Sequence, residues 1–278
     1  MKIKIKMPDH MLMPDNMRKF EKEEQKEDFS YNIHFTNDLK GIVDRFITEH
    51  LQVKEIRRKN MIILLSDQEE LRIIWIIGTN RPYAVTIEKK GEETEVWVDE
   101  WISPLLNSDT VFGSLLGLEK RMISQDAMIL HSAYINKDGK AILFTAPSGT
   151  GKSTQADLWE KYRGTRTING DRTLMVRKEN GWYAYGWPIC GSSEICFNES
   201  YPIQAIVVIR QAEKNEVEKL DQGESVKKIL SEITVNTWNS EFQMKIFELL
   251  EKLTAEVPVY RLSCNISEEA VQCLEEKI

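Results

Sequence analysis

The sequence has little cysteine, little histidine and no long apolar stretch. Its four cysteines, Cys190, Cys196, Cys264 and Cys273, include no pair with the two-residue spacing of a zinc knuckle. They are expected to be reduced, buried thiols. His10, His34 and His50 stand too far apart to suggest a ligand set, and packing or surface roles are expected for them. No apolar run approaches the length of a membrane span. A basic excess is also missing: the net charge is −7 at pH 7, which argues against a surface that wraps nucleic acid or lies on an anionic membrane. Met1-Lys-Ile-Lys-Ile-Lys6 alternates apolar and charged residues, the pattern of a strand with one wet face and not of a signal peptide. A cytoplasmic location is therefore expected. No internal repeat is apparent.

What is present is ordinary globular material. With 278 residues, 41% of them hydrophobic and 29% charged, the chain has enough core for one large domain or two modest ones. The first third carries strand signals at 31–35, 53–57, 61–65, 71–77, 84–88 and 94–99. Breaks at Ser66-Asp67, Gly78-Thr79-Asn80 and Gly91 separate them, so a meander-like antiparallel sheet is expected. The charge run from Phe20 to Asp28 reads as a solvated face. A helix is predicted over 109–124, with Asp109 as its cap and Lys120 and Arg121 near its end. The domain boundary is placed just before it, giving segments 1–108 and 109–278.

The pattern then changes. Strands are predicted at 128–135 and 141–145, a helix at 152–162, a short strand at 167–169 and a hairpin from 173–177 and 182–185. Ile203 to Ile209 is nearly continuously apolar, the mark of a strand covered on both faces. A long helical stretch spans 224–253, interrupted near 236–240. The final elements are a strand at 257–262 and a helix announced by Ser267, Glu268 and Glu269.

The most informative stretch is Thr145-Ala-Pro-Ser-Gly-Thr-Gly-Lys-Ser-Thr154. It follows an apolar strand and opens a helix, the context a phosphate-binding loop requires. Gly149 and Gly151 let the backbone turn its N–H groups inward, and the helix N-terminus adds positive potential. Pro147, Ser148, Gly149, Thr150, Gly151, Lys152, Ser153 and Thr154 are the candidate nucleotide ligands. Lys152 supplies a point charge for the β- and γ-phosphates, Ser153 a hydroxyl for Mg²⁺, and Thr154 a bond to a nearer phosphate. Ala146 stands where the first glycine of such loops is expected. Asp171, after Thr167-Ile-Asn-Gly170, is the well-placed acid that would hold Mg²⁺ or take the proton of an acceptor hydroxyl.

Three segments together resemble the HPr kinase/phosphorylase group and its phosphoenolpyruvate carboxykinase-like relatives. These are Ile129-Leu-His-Ser-Ala-Tyr134, the loop from Ala146 to Thr154, and Asn169-Gly-Asp-Arg172. The resemblance covers roughly Leu118 to the C-terminus. Val257-Pro-Val-Tyr-Arg-Leu262 and the last helix are similar to the ending of small kinase-like members, some of which phosphorylate ribosomally made peptides. The resemblance implies that Lys152 and Ser153 bind phosphate and metal, that Asp171 survives from an acidic pair whose other member is Gly170, and that His131 lies near the reacting phosphate. No phosphorylase signature is visible. Gly186-Trp-Pro-Ile-Cys-Gly-Ser-Ser-Glu194 stands in its region, a candidate substrate loop with Glu194 as a possible helper of Mg²⁺. Arg210, Arg172 and Arg163 are candidates to steady a transferring phosphate, while Trp182, Trp187 and Trp238 are assigned to the core rather than to adenine stacking.

The combined expectation is an α/β P-loop domain of HPr kinase-like type behind a mostly β (α+β) N-terminal domain that recognises the acceptor. ATP and Mg²⁺ are the expected cofactors. The expected activity is transfer of the γ-phosphate to a hydroxyl, serine by preference, on a peptide, protein or small molecule. Nucleic acid and membrane are not expected as partners, and a homo-oligomer stays open. The rivals are a nucleotide-binding regulatory module with little turnover and a carboxykinase-like lyase; for the lyase, the oxaloacetate-binding residues are missing.

Overall fold

The computed structural model describes residues 2–22, 26–89 and 93–278. Met1 of the first strand, residues 23–25 of the charge run and the break at Gly91 lie outside the described residues. The chain is mixed α/β with two sheets, and it divides into two compact units, Met1–Leu118 and Glu119–Ile278.

In the first unit the strands are β1 (Ile3–Lys6), β2 (Phe29–Thr36), β3 (Lys54–Arg57), β4 (Met61–Leu65), β5 (Glu69–Trp75), β6 (Pro82–Lys89) and β7 (Glu93–Asp99). They form one sheet in the order β1-β2-β7-β6-β5-β4-β3. From β7 to β3 the neighbours are antiparallel, as the meander pattern implies, but β1, β2 and β7 run parallel. Parallel neighbours need a crossover, and α2 (Leu39–Glu49) is part of it. That helix is absent from the sequence reading. The side chain of Asp38 caps it by accepting from the Gly41 N–H, and Leu39 and Phe46 pack on Leu64, Leu71 and Val85 of the sheet.

Short α1 (Asp15–Arg18) and α3 (Asp109–Leu116) complete this unit, and α3 packs against β6. The helix expected over 109–124 is in fact two. Gly117 adopts a left-handed conformation (φ 52°) between α3 and α4 (Leu118–Ile123), so the hydrogen-bond ladder cannot pass through it. The first unit therefore ends later than the junction drawn at 108.

The second unit contains β8 (Ala127–Lys137), β9 (Lys140–Thr145), α5 (Lys152–Arg163), β10 (Arg166–Asn169), β11 (Arg172–Lys178), β12 (Gly181–Tyr185), β13 (Ser200–Gln211), β14 (Glu216–Lys219), α6 (Gln222–Leu230), α7 (Ser240–Glu256), β15 (Val259–Cys264) and α8 (Glu268–Glu275). Strand β9 lies between β8, antiparallel to it, and β13, parallel to it; β15 continues the parallel set beyond β13. Helices cover both faces. On one, Ile142, Phe144, Val207 and Leu262 pack with Trp159 of α5 and with Val271 and Leu274 of α8. On the other, Leu143 and Ile206 pack with Ile229 of α6 and with Phe242, Leu249 and Leu253 of α7. A strand buried on both faces needs no polar alternation, which is why 203–209 reads as an unbroken apolar run.

Trp159 is fully buried, its ring 6.3 Å from that of Phe144. Trp159→Ala is expected to cost about 3–5 kcal/mol through the cavity it leaves, read as a lowered urea midpoint of the second unit.

Candidate functional site

The site is built where β9 ends. Thr145 is paired with Ser132 of β8, and its hydroxyl donates to the His131 carbonyl at 2.9 Å. Beyond Thr145 the chain leaves the sheet, turns through 146–151 and enters α5. Gly149 (φ 79°) and Gly151 (φ 117°) hold conformations that only glycine adopts without strain, with open space where a Cβ would stand. Pro147, Ser148, Gly149 and Ser153 are exposed, Thr150, Gly151 and Thr154 partly so. The Gln211 amide at the end of β13 donates to the Thr150 carbonyl at 3.3 Å. The N–H groups of the first helical turn have no intrahelical acceptor, so an exposed loop at this end of α5 is suited to an anion.

Ala146 needs no glycine in its place. It lies among the buried side chains of the α5 face and is not one of the residues with positive φ. Its carbonyl accepts from the Lys152 ammonium at 2.9 Å. Lys152 is only 7% exposed. Burial lowers its pKa, partly offset by the negative charges of Glu232 and then Asp171, while Arg172 adds to the lowering.

Asp171 reaches the same place through an irregularity in the sheet. Residues 166–178 run antiparallel to β8, with β10 and β11 interrupted at Gly170 and Asp171. The Asn169 side chain caps this break, accepting from the N–H groups of Asp171 and Arg172 at 2.9 and 2.8 Å and donating to the Trp187 carbonyl at 2.6 Å. The register shift of the ladder lies upstream, between Thr167 and Asn169, while the pairings of Asn169 with Tyr134 and of Arg172 with His131 keep one register across the break. The Asp171 carboxylate lies 3.5 Å from His131 Nε2 and 3.4 Å from Arg172 Nε. His131 lowers its pKa; burial opposes this, and Arg172 and Lys152 lower it further. Asp171 was expected at the end of a strand, and it lies in the break between β10 and β11.

Lys152, Asp171 and His131 are thereby brought to one locus, with the loop residues and Ser153 in the connected segment above β9. Sequence reasoning missed a fourth group. Glu232 accepts at 3.1 Å from His131 Nδ1, and its main-chain carbonyl accepts from the His131 N–H at 2.9 Å. It lay hidden because 224–253 reads as helix, whereas α6 stops at Leu230 and 232–234 pairs along the free edge of β8. The β-branched run Ile233-Thr-Val235 was the available signal.

The other candidates separate. Arg172 donates to the Thr234 hydroxyl at 3.1 Å beside the site, while Arg163 pairs with Glu275 and Glu268 at the far end of α5, and Arg210 is exposed at the end of β13. Glu194 is exposed, with φ 55°. Trp182 and Trp187 are buried. Cys190, Cys196 and Cys264 are buried and Cys273 partly so; burial pushes the Cys264 thiol up to about 11, away from nucleophilic use. Among the described residues, no group of three His, Cys, Asp or Glu side chains is arranged to hold a metal by itself.

Gly170 has a steric reason. A Cβ there would fall 2.2 Å from Ser193 Oγ and 2.4 Å from Ser193 Cβ, so no acid fits beside Asp171 while the 191–193 turn keeps its place.

Fold and site together define a mixed α/β protein with a glycine-turned loop joining a buried strand to a helix, above a lysine, a histidine and two carboxylates. Residues 110–277 match the family described as SynChlorMet cassette protein ScmC, and the chain belongs to that family. No curated protein matches the sequence. Among solved structures, the HPr(Ser) kinase/phosphatase from Coxiella burnetii is similar at 11% identity and a TM-score of 0.32, over 53% of this chain and 94% of that one. No helix among the described residues is long and apolar enough to cross a membrane.

Two outcomes test this geometry. Gly170→Ala should destabilise the second unit by about 1–3 kcal/mol through overpacking, and Ser193→Gly in the same chain should recover most of that in urea unfolding. Because the folded-state pKa of Asp171 is depressed below its ordinary 3.8, its stabilising contribution is present above that value and is lost as pH falls through the folded-state pKa. Asp171→Asn should therefore lower the urea midpoint at neutral pH, with the gap to the parent protein closing in strong acid.

Proposed function

We propose that this protein is a cytoplasmic ATP- and Mg²⁺-dependent phosphotransferase of HPr kinase-like type, acting on a hydroxyl of a peptide, protein or small molecule, serine by preference. The observation that carries this reading is the approach of Lys152, Asp171 and His131 beneath an exposed loop whose two glycines hold positive φ. In the proposed reaction the acceptor oxygen bonds to the γ-phosphorus, the bond from that phosphorus to the β,γ-bridging oxygen breaks, and ADP leaves. The loop N–H groups and the first turn of α5 bind the triphosphate, and Lys152 gives up the Ala146 carbonyl to meet phosphate oxygens. Mg²⁺, when bound, offsets phosphate charge, and Ser153 and Asp171 are the residues that hold it.

A carboxylate whose pKa is held low is a good cation ligand and a weak base, which favours the metal role for Asp171. The acceptor proton leaves late, to solvent, in a loose transition state, so positioning and charge neutralisation supply most of the catalysis. The packing of Ser193 against Gly170 favours a second reading, a nucleotide-binding module with little turnover, since the site then lacks an acid adjacent to Asp171.

Lys152→Ala should abolish most ATP affinity in titration calorimetry; unchanged binding would remove the phosphate-loop assignment. Asp171→Asn should retain ATP binding and lose Mg²⁺-dependent ADP formation. If the parent protein binds ATP yet forms no ADP with any candidate acceptor, the module reading prevails.

A further inference from the structure

Glu232 belongs to no element of the phosphate loop, and the reading above gives it no task. Its surroundings do. It stands in the irregular segment after α6, where Ile233 bridges to Leu130 and the Thr234 N–H donates to the Ile129 carbonyl at 3.0 Å, so 232–234 extends the sheet along the edge of β8 that β9 vacates at Thr145. Alternation along this segment sends Ile233 into the α6–α7 core and sends Glu232 and Thr234 to the side of the site. Glu232 bonds to His131 and Thr234 to Arg172, and those two residues are the ones that flank Asp171.

The Glu232 side chain is 11% exposed, and a carboxylate that far out of water needs partners. One is His131 Nδ1. The Ser231 hydroxyl donates to its other oxygen at 3.4 Å, and Glu232 is the larger of the two negative charges that offset the burial of the Lys152 ammonium. A carboxylate bonded to one imidazole nitrogen fixes the orientation of the ring and so the direction in which the other nitrogen points. Here that other nitrogen is Nε2, directed at Asp171.

We propose that Glu232 is a positioning residue of the site. Its carboxylate holds the Nδ1–H of His131, and so keeps Nε2 against Asp171 and Asp171 in place below the phosphate loop. The proposal rests on the phosphotransfer reading for its kinetic consequence, and on the His131 contact alone for its structural one. The main-chain bond between His131 and Glu232 is independent of the side chain, so substitution leaves the strand pairing intact.

The experiment uses the full chain labelled with ¹⁵N-histidine, whose four histidines give few resonances to assign, together with ATP titration and ADP formation. In Glu232→Ala the His131 Nδ1 resonance should shift, and in Glu232→Gln, whose amide oxygen still accepts, it should stay near its parent position. ADP formation by Glu232→Ala should fall about tenfold to a hundredfold in kcat, with KM for ATP changed by less than about threefold, and Glu232→Gln should recover most of the loss. An unmoved His131 Nδ1 in Glu232→Ala would overturn the proposal. So would parental turnover in that variant, or equal impairment of the Gln and Ala variants, which would make charge and not positioning the cause. A parent protein that neither binds ATP nor forms ADP would instead sink the phosphotransfer reading, with the ring-nitrogen result still deciding the role of Glu232.

Discussion

Taking the Lys152 ammonium out of water is the constraint around which the second unit is arranged. A lone buried cation is costly, and here the cost is met by the Ala146 carbonyl and by the negative charge of Glu232 and Asp171. Each compensating group comes from a different part of the chain: the end of β9, the segment after α6, and the break between β10 and β11. These parts must therefore be in register before the lysine can be accommodated. The helix that carries Lys152 is fixed in turn by Trp159 and Ala156 against the sheet. Burial of one charge thus ties the packing of a whole face to the geometry of a few polar groups.

The same arrangement accounts for the unusual residues of the motif. Alanine is tolerated at 146 because that position still belongs to the buried sheet edge and contributes its carbonyl, while the turning is done at 149 and 151. Glycine at 170 is a packing requirement set by Ser193, whose hydroxyl donates to the Cys190 carbonyl. Gly191 is held close to Asp171 in the same turn, with φ 56° and a Cβ position 3.1 Å from the Asp171 carboxyl carbon. The 190–195 segment therefore acts as a wall on one side of Asp171, and the 232–234 segment holds the residues on its other sides.

Much of the local structure was legible along the chain. The strand at 61–65 has the bounds read from the sequence, and the hairpin of β11 and β12, the apolar core of β13 and the loop-to-helix passage at 152 follow closely. The helix at 39–49 was not read, although Leu39, Ile42, Val43 and Phe46 carry its spacing; the strand signals on either side overshadowed it. The parallel placement of β2 beside β7 had no local signature, since strands of either direction share one pattern.

For the site, the sequence by itself determined the groups that lie close together along the chain: Gly149, Gly151, Lys152 and Ser153, whose spacing is the chemistry of the loop. His131 became a candidate through resemblance and Asp171 through its place after the loop helix, and only tertiary structure brought them to 3.5 Å, by pairing β8 with β11 and breaking the strand at Gly170 and Asp171. Glu232 was decided by tertiary structure alone. Its partner is 101 positions away, and its segment lost its helical state because the open edge of β8 offered main-chain bonds that a further turn of α6 would have forgone. Local spacing carries a motif when its groups act through neighbouring backbone; it is silent where an unpaired sheet edge chooses which distant segment will complete it.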